Sequence, residues 1–172
     1  MNTSLPQDSS TVIALCNPKS PSNVGAVMRA AGCYQARTIY YSGERFARAA
    51  KYHQDTNNIH GSITLEHRDS FIDLVSDDHK LVCIELVEGA TALPEFTHPK
   101  NAIYVFGPED GSIDQSLISQ ADEVVYIPTI GCMNLAATVN VVLYDRMSKS
   151  INALDHDELI RNSRDVNNRL SV

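Results

Sequence analysis

In the stretch 123–145, EVVYIPTIGCMNLAATVNVVLYD, a β-branched apolar run ends at Pro128, a short loop crosses Gly131, and a helical pattern begins near Asn134. Leu135, Val139, Val142, Leu143 and Met147 recur at helical spacing to about Ser150, which marks one buried helix face. Strand, tight loop and helix in immediate succession form the repeating unit of a parallel sheet covered by helices. The same alternation extends outward in both directions. Strands are expected over 11–16 (TVIALC), 37–42 (RTIYYS), 80–86 (KLVCIEL), 101–107 (NAIYVFG) and 123–128 (EVVYIP), with a weaker one over 62–67. Between the first two, Val24, Val27, Met28 and Ala31 form the apolar stripe of a helix starting near Asn23. Arg29 lies off that stripe, on a face with the small residues Gly25 and Cys33, over which a long cationic side chain can lie. A further charged helix with sparse apolar positions is expected over 154–170. The expected class is α/β, a parallel sheet with helices on both faces.

With 172 residues, one domain over 11–172 is expected, preceded by a loose polar tail over 1–10. That tail, MNTSLPQDSS, has no basic n-region and no apolar h-region, so it does not read as a secretion signal, and a cytoplasmic location is expected. No apolar run approaches the roughly 20 residues of a membrane-spanning helix. Cys16, Cys33, Cys83 and Cys132 stand far apart without a C-x-x-C pair, the pattern of buried free thiols rather than of a zinc site or a disulfide framework. His53 and His60 are seven apart and no H-E-x-x-H occurs, so no metal is expected. A formal charge of −7 argues against bulk electrostatic attraction to nucleic acid. RNA contact requires a local patch, for which Arg45, Arg48, Lys51 and His53, joined by Lys19, Arg29 and Arg37, are the candidates. An ordinary solvated helix face accounts for the same residues equally well.

In parallel sheets ligands bind beyond the carboxyl ends of the strands. Three loops stand there: CNPKSPSNVGAVMRAAG, where a Pro-rich loop enters a helix at Ser22 or Asn23; VFGPEDGS, where two glycines flank an acidic pair; and IPTIGCMNLAATVNVVLYD. Neither G-x-G-x-x-G after a strand nor G-x-x-x-x-G-K-[ST] occurs, so the usual dinucleotide site and the P-loop are unsupported. Taken singly, Asn134 reads as a helix cap and Glu109 as a turn residue.

In order, however, the three segments resemble the three motifs of the TrmH/SpoU branch of the SPOUT RNA methyltransferases, over about residues 11 to 150. Asn23, Gly25 and Arg29 match the first motif, Phe106, Gly107, Glu109 and Gly111 the second, and Ile127, Pro128, Cys132, Met133, Asn134 and Leu143-Tyr144-Asp145 the third. The resemblance implies a C-terminal trefoil knot, S-adenosyl-L-methionine as cofactor, and a homodimer in which one subunit's arginine completes the other's site. It implies cofactor contacts, largely backbone, at Glu85, Gly107, Ile127, Cys132 and Leu135. It also implies methyl transfer to an RNA ribose 2′-hydroxyl, with Arg29 as the central catalytic residue and Glu109 and Asn134 holding its geometry, the carboxylate by pairing with an arginine. RNA contacts are expected from Lys19, Asn23, Arg29, Arg45, Arg48 and Lys51, with tRNA preferred over ribosomal RNA. The family's motif-three serine is Cys132 here and a later hydroxyl position is Ala136, so hydroxyl contacts give way to backbone ones. The loop from Pro128 to Cys132 is short for the family, which is expected either to narrow the cofactor pocket or to change how the knot closes. Two rivals remain: a non-catalytic RNA-binding relative, and a doubly wound nucleotide-binding protein with a different ligand.

Overall fold

The computed structural model describes residues 10–50, 63–150, 156–164, 167–170 and 172. Its strands are β1 (Thr11–Leu15), β2 (Thr38–Tyr41), β3 (Thr64–His67), β4 (Lys80–Ile84), β5 (Thr91–Ala92), β6 (Ala102–Phe106) and β7 (Glu123–Tyr126). They make one sheet in the order β3-β2-β1-β6-β4-β7-β5, and every pairing is parallel. The helices are α1 (Pro21–Cys33), α2 (Arg45–Ala50), α3 (Gln115–Ile118), α4 (Leu135–Ser150) and α5 (His156–Ser163). None is long and apolar enough to cross a membrane among the described residues.

Central strands of a parallel sheet are covered on both faces and therefore read as unbroken apolar runs. β6 is buried at all five positions. Its alternate side chains feed two cores. Ile13 and Leu15 of β1, Tyr104 and Phe106 of β6, and Val82 and Ile84 of β4 pack beneath α1 and α4. Ala14, Ile103, Val105, Leu81 and Cys83 face the other way, against Phe71, Leu74, Ile113 and the α3 residues Leu117 and Ile118. Helices cover both faces as expected, the first by far the more thickly.

Several expected boundaries shift. Each strand is shorter than its apolar run, because the chain turns while its last hydrogen bonds are still being made. The Cys16 N–H donates to the Phe106 carbonyl at 2.9 Å and the Glu85 N–H to the Val125 carbonyl at 3.0 Å, both just past their strands. Residue 62, the start of the weak strand, lies outside the described residues. The edge strand β5 escaped the sequence pattern altogether. Helix α1 starts two residues before Asn23: Pro21 takes the first turn, where its missing N–H costs nothing, and the Ser20 side chain caps the Asn23 N–H. Its buried stripe is Val24, Val27, Ala30 and Ala31, with Met28 only partly covered. The thiols divide: Cys83 is buried and Cys16 half-buried, while Cys33 and Cys132 are exposed. Burial pushes the Cys16 and Cys83 thiols up to about 12, which keeps them protonated and unreactive.

The carboxyl half of α4 is tied to the loop before β6 by a dense polar network. The Arg146 guanidinium donates to the Pro99 and Lys100 carbonyls, each at 2.6 Å, and to the Tyr104 hydroxyl at 3.0 Å. Lys149 donates to the Leu93 and Phe96 carbonyls and pairs with Asp145 at 2.7 Å. His98, its side chain only 5% exposed, lies between the Tyr104 hydroxyl at 2.5 Å and Asp145 at 2.8 Å. Burial lowers the His98 pKa against the opposing pull of Asp145, and the Arg146 and Lys149 charges lower it further.

A histidine depressed in the folded state must be charged at the fold's expense in acid. Its stabilising contribution is complete above its unfolded pKa of about 6.5 and is lost as pH falls from there through the folded value. The urea midpoint is therefore expected to drop between about pH 7.5 and pH 5, and His98→Gln should flatten that part of the profile. An unchanged profile in the variant would remove His98 from the account.

Candidate active site

The three loops singled out in the sequence meet at the carboxyl end of the sheet. Glu109, just beyond β6, turns back toward the start of α1. Its Oε2 accepts the Lys19 N–H at 2.8 Å, and its Oε1 accepts the Ser20 N–H at 3.1 Å and the Asn23 Nδ2 at 3.0 Å. Burial pushes the Glu109 carboxyl upward, but the donors on Asn23, Lys19 and Ser20, with its own N–H, outweigh it and hold the pKa below the ordinary value. The expected arginine partner is absent among these contacts. Backbone N–H groups and an amide take its place, because the β1–α1 loop presents its donors directly to the carboxylate.

The Asn23 Oδ1 in turn accepts the Asn134 Nδ2 at 3.1 Å. The Asn134 Oδ1 caps α4, accepting the Ala136 and Ala137 N–H groups at 2.9 and 3.4 Å. Asn134 is thus a helix cap and a bridge at once. The chain Glu109–Asn23–Asn134 locks motifs two, one and three together through side chains.

Beside it lies a cleft of about 160 Å³ that contains all five residues expected at a cofactor, Glu85, Gly107, Ile127, Cys132 and Leu135. Glu109, Thr129 and Thr138 also line it; the two threonines had no signal beyond their place in the motif-three loop and the first turn of α4. The Glu85 side chain braces the wall, accepting the Leu86 N–H at 3.0 Å and the Ile113 N–H at 2.9 Å. A Cβ added at Gly107 would stand 3.2 Å from that carboxylate, so glycine keeps the floor open where a ligand approaches. The space is smaller than the roughly 300 Å³ at which cofactor pockets begin. Gly131 turns that loop at φ +113°, and Ile130 projects fully into solvent.

Arg29 is exposed on α1, outside the lining of this cleft, and makes no hydrogen bond or ion pair with the described residues. The expected basic patch is only partly neutralised, since Arg29 and Arg37 stay exposed and unpaired among the described residues. Asp110 holds Arg45 at 2.8 Å and Lys19 at 3.5 Å, and Arg48 pairs with Glu44 one turn back. Lys51 and His53 lie outside the described residues. Among the described residues no cluster of His, Cys, Asp or Glu is arranged to hold a metal ion.

The model of the SpoU rRNA Methylase family matches residues 10–144. Solved structures share the fold at low identity. A TrmH/SpoU tRNA modifying enzyme of A. aeolicus superimposes with a TM-score of 0.65 at 16% identity, over 82% of this chain and 75% of that one. The SpoU methyltransferase AviRb of Streptomyces viridochromogenes, solved with AdoMet, gives 0.67 at 18% identity, over 84% and 60%. A structure concerned with 2-OH methylation of C/U34 on tRNA gives 0.65 at 18% identity, over 82% and 91%. The chain thus spans less than two thirds of AviRb. No curated protein matches the sequence.

Proposed function

Because the chain belongs to the SpoU rRNA methylase family, whose model covers residues 10–144, we propose that it transfers a methyl group from S-adenosylmethionine to a ribose 2′-hydroxyl of RNA, with tRNA the favoured substrate and ribosomal RNA the alternative. One observation carries this reading: five residues assigned to the cofactor by the resemblance, from beyond β4, β6 and β7 and from the start of α4, line a single cleft beside the Glu109–Asn23–Asn134 chain.

The residues present suit the cofactor. Gly107 leaves the floor open, and the Leu135 N–H, at the positive end of α4, is left without a partner by the Asn134 cap, so it is available to a polar group of the ligand. When bound, S-adenosylmethionine supplies an electrophilic methyl on a sulfonium. That methyl would pass to the ribose oxygen, the carbon–sulfur electron pair staying on sulfur and the hydroxyl proton going to solvent, with Glu85, Gly107, Ile127, Cys132 and Leu135 as the residues that would hold the cofactor. A guanidinium stays protonated, so Arg29 acts by holding the ribose and its 3′-phosphate and by stabilising the developing alkoxide.

Since Arg29 lies outside its own chain's cleft, a second copy is the natural recipient of that side chain. The outer faces of α1 and α4 support such a homodimer: Ala26, Gly32, Ala137 and Asn140 are exposed there, beside Tyr144, which is 58% exposed. The reading also includes the trefoil knot, which rests on membership of the family, and a cytoplasmic place of work, where the RNA is.

The test is incubation with labelled S-adenosylmethionine and unmodified total tRNA, then ribosomal RNA, followed by nucleoside mass spectrometry. A new 2′-O-methylnucleoside is expected. Cofactor and RNA binding without transfer to either RNA would favour a non-catalytic relative, and transfer to a base would sink the ribose assignment.

A further inference from the structure

A second, larger cavity of about 1020 Å³ opens at the amino ends of β1, β2 and β6, where Thr11, Thr38 and Asn101 form its edge. It lies the length of a strand, about 17 Å, from the carboxyl-end cleft. Its charged lining is one-sided. Arg37, Lys100, Arg146 and Lys149 face it, with Glu95 as the lining carboxylate. Lys149 is neutralised by Asp145. Arg146 is held by carbonyls and a hydroxyl, which fix its position without cancelling its charge. Arg37 and Lys100 are exposed, and their side chains make no hydrogen bond or ion pair with the described residues. Among the described residues, three uncompensated cations thus oppose one carboxylate.

At the reaction face Lys19 and Arg45 share Asp110, Arg48 has Glu44, and Arg29 stands unpaired among the described residues. In a chain with a formal charge of −7, an anionic polymer gains most where cations stand unpaired on a rigid frame, and such cations stand at both ends of the sheet. Arg146 supplies that frame, since its guanidinium is clamped between α4 and the loop before β6.

We propose that this cavity is a second RNA-binding surface, which takes phosphates of the substrate's backbone remote from the methylated ribose. The inference rests on the reading of the protein as an RNA methyltransferase. Arg37 and Lys100 make the phosphate contacts, Arg146 supplies a fixed positive background, and Glu95 opposes binding. Such contacts position the RNA and read no sequence.

The experiment is binding of unmodified total tRNA across a salt series, with methyl transfer measured in parallel. The double variant Arg37→Ala/Lys100→Ala alters exposed side chains without partners, so folding is expected to survive. It should weaken tRNA binding about tenfold at low salt and flatten the log–log salt slope by about 1.5, the share of two phosphate contacts. KM for tRNA should rise while kcat holds. Glu95→Gln should tighten binding. Unchanged affinity and slope in the double variant, with the parent protein active on tRNA, would overturn the second surface and leave the activity standing. A parent protein that neither binds nor methylates tRNA or ribosomal RNA would bring down both.

Discussion

Arg29→Ala is expected to fold, to bind S-adenosylmethionine with unchanged affinity, and to lose methyl transfer by about 10²-fold or more, the usual consequence of deleting one preorganised electrostatic partner of a developing oxyanion. The expectation comes from where the side chain is. Arg29 is exposed on α1, makes no contact that the fold would miss among the described residues, and stands outside the cleft that holds the cofactor-assigned residues. Stability and cofactor affinity therefore have no reason to change. Calorimetry would read the binding, a thermal melt the fold, and single-turnover transfer the chemistry. Full turnover in Arg29→Ala would remove the catalytic assignment. Loss of cofactor binding together with turnover would instead mean that Arg29 shapes the cleft from the other subunit.

A mixing experiment separates these roles further. If the arginine acts across a dimer interface, Arg29→Ala subunits mixed with subunits whose cleft is blocked should regain activity, because one site of each mixed dimer then has an intact cleft and an intact arginine. Gly107→Val suits the second partner: a Cβ there already meets the Glu85 carboxylate at 3.2 Å and the Ile113 N–H at 3.4 Å, and the larger side chain fills the floor.

What could be read from the sequence follows from how many residues each feature needs. The strands β1, β4 and β6 were legible because a strand covered on both faces must be apolar at nearly every position, and TVIAL, KLVCI and AIYVF satisfy that almost throughout. β5 was not, because two residues, Thr91 and Ala92, cannot show a period. Most of the cleft was legible because its lining sits within motifs two and three, with Glu85 at the end of an expected strand. The cavity at the other end was not, because Arg37, Lys100 and Arg146 come from three distant segments and meet only when α4 docks on the loop before β6. The carboxylates that pair with part of the basic patch were hidden for a related reason: Arg45 and Asp110 are 65 residues apart, and no local spacing pairs them. The partners of Glu109 within its own chain were not legible, since backbone N–H donors have no letter in a sequence.

Those partners set the second large effect. Glu109→Ala would strip the acceptor from the Lys19 and Ser20 N–H groups and from the Asn23 amide at once. The β1–α1 loop would lose its tie to motif two, and Asn23 its orientation toward Asn134. Methyl transfer is expected to fall about 10²-fold, as for other groups that hold a catalytic geometry. The carboxylate is partly exposed, so the cost in stability should stay near 1 kcal/mol. Glu109→Gln should fall between: its amide oxygen can keep the Ser20 and Asn23 donors, but its NH₂ would face the Lys19 N–H, donor against donor. The native carboxyl is depressed, so its contribution to stability is complete above its unfolded pKa of about 4.3 and is lost as pH falls through the folded value. Glu109→Gln should remove that part of the acid profile. An alanine variant that keeps full activity would show that Asn23 and Asn134 hold the site without the carboxylate. Equal loss in the alanine and glutamine variants would point to the charge itself, and the graded loss expected here to the three hydrogen bonds.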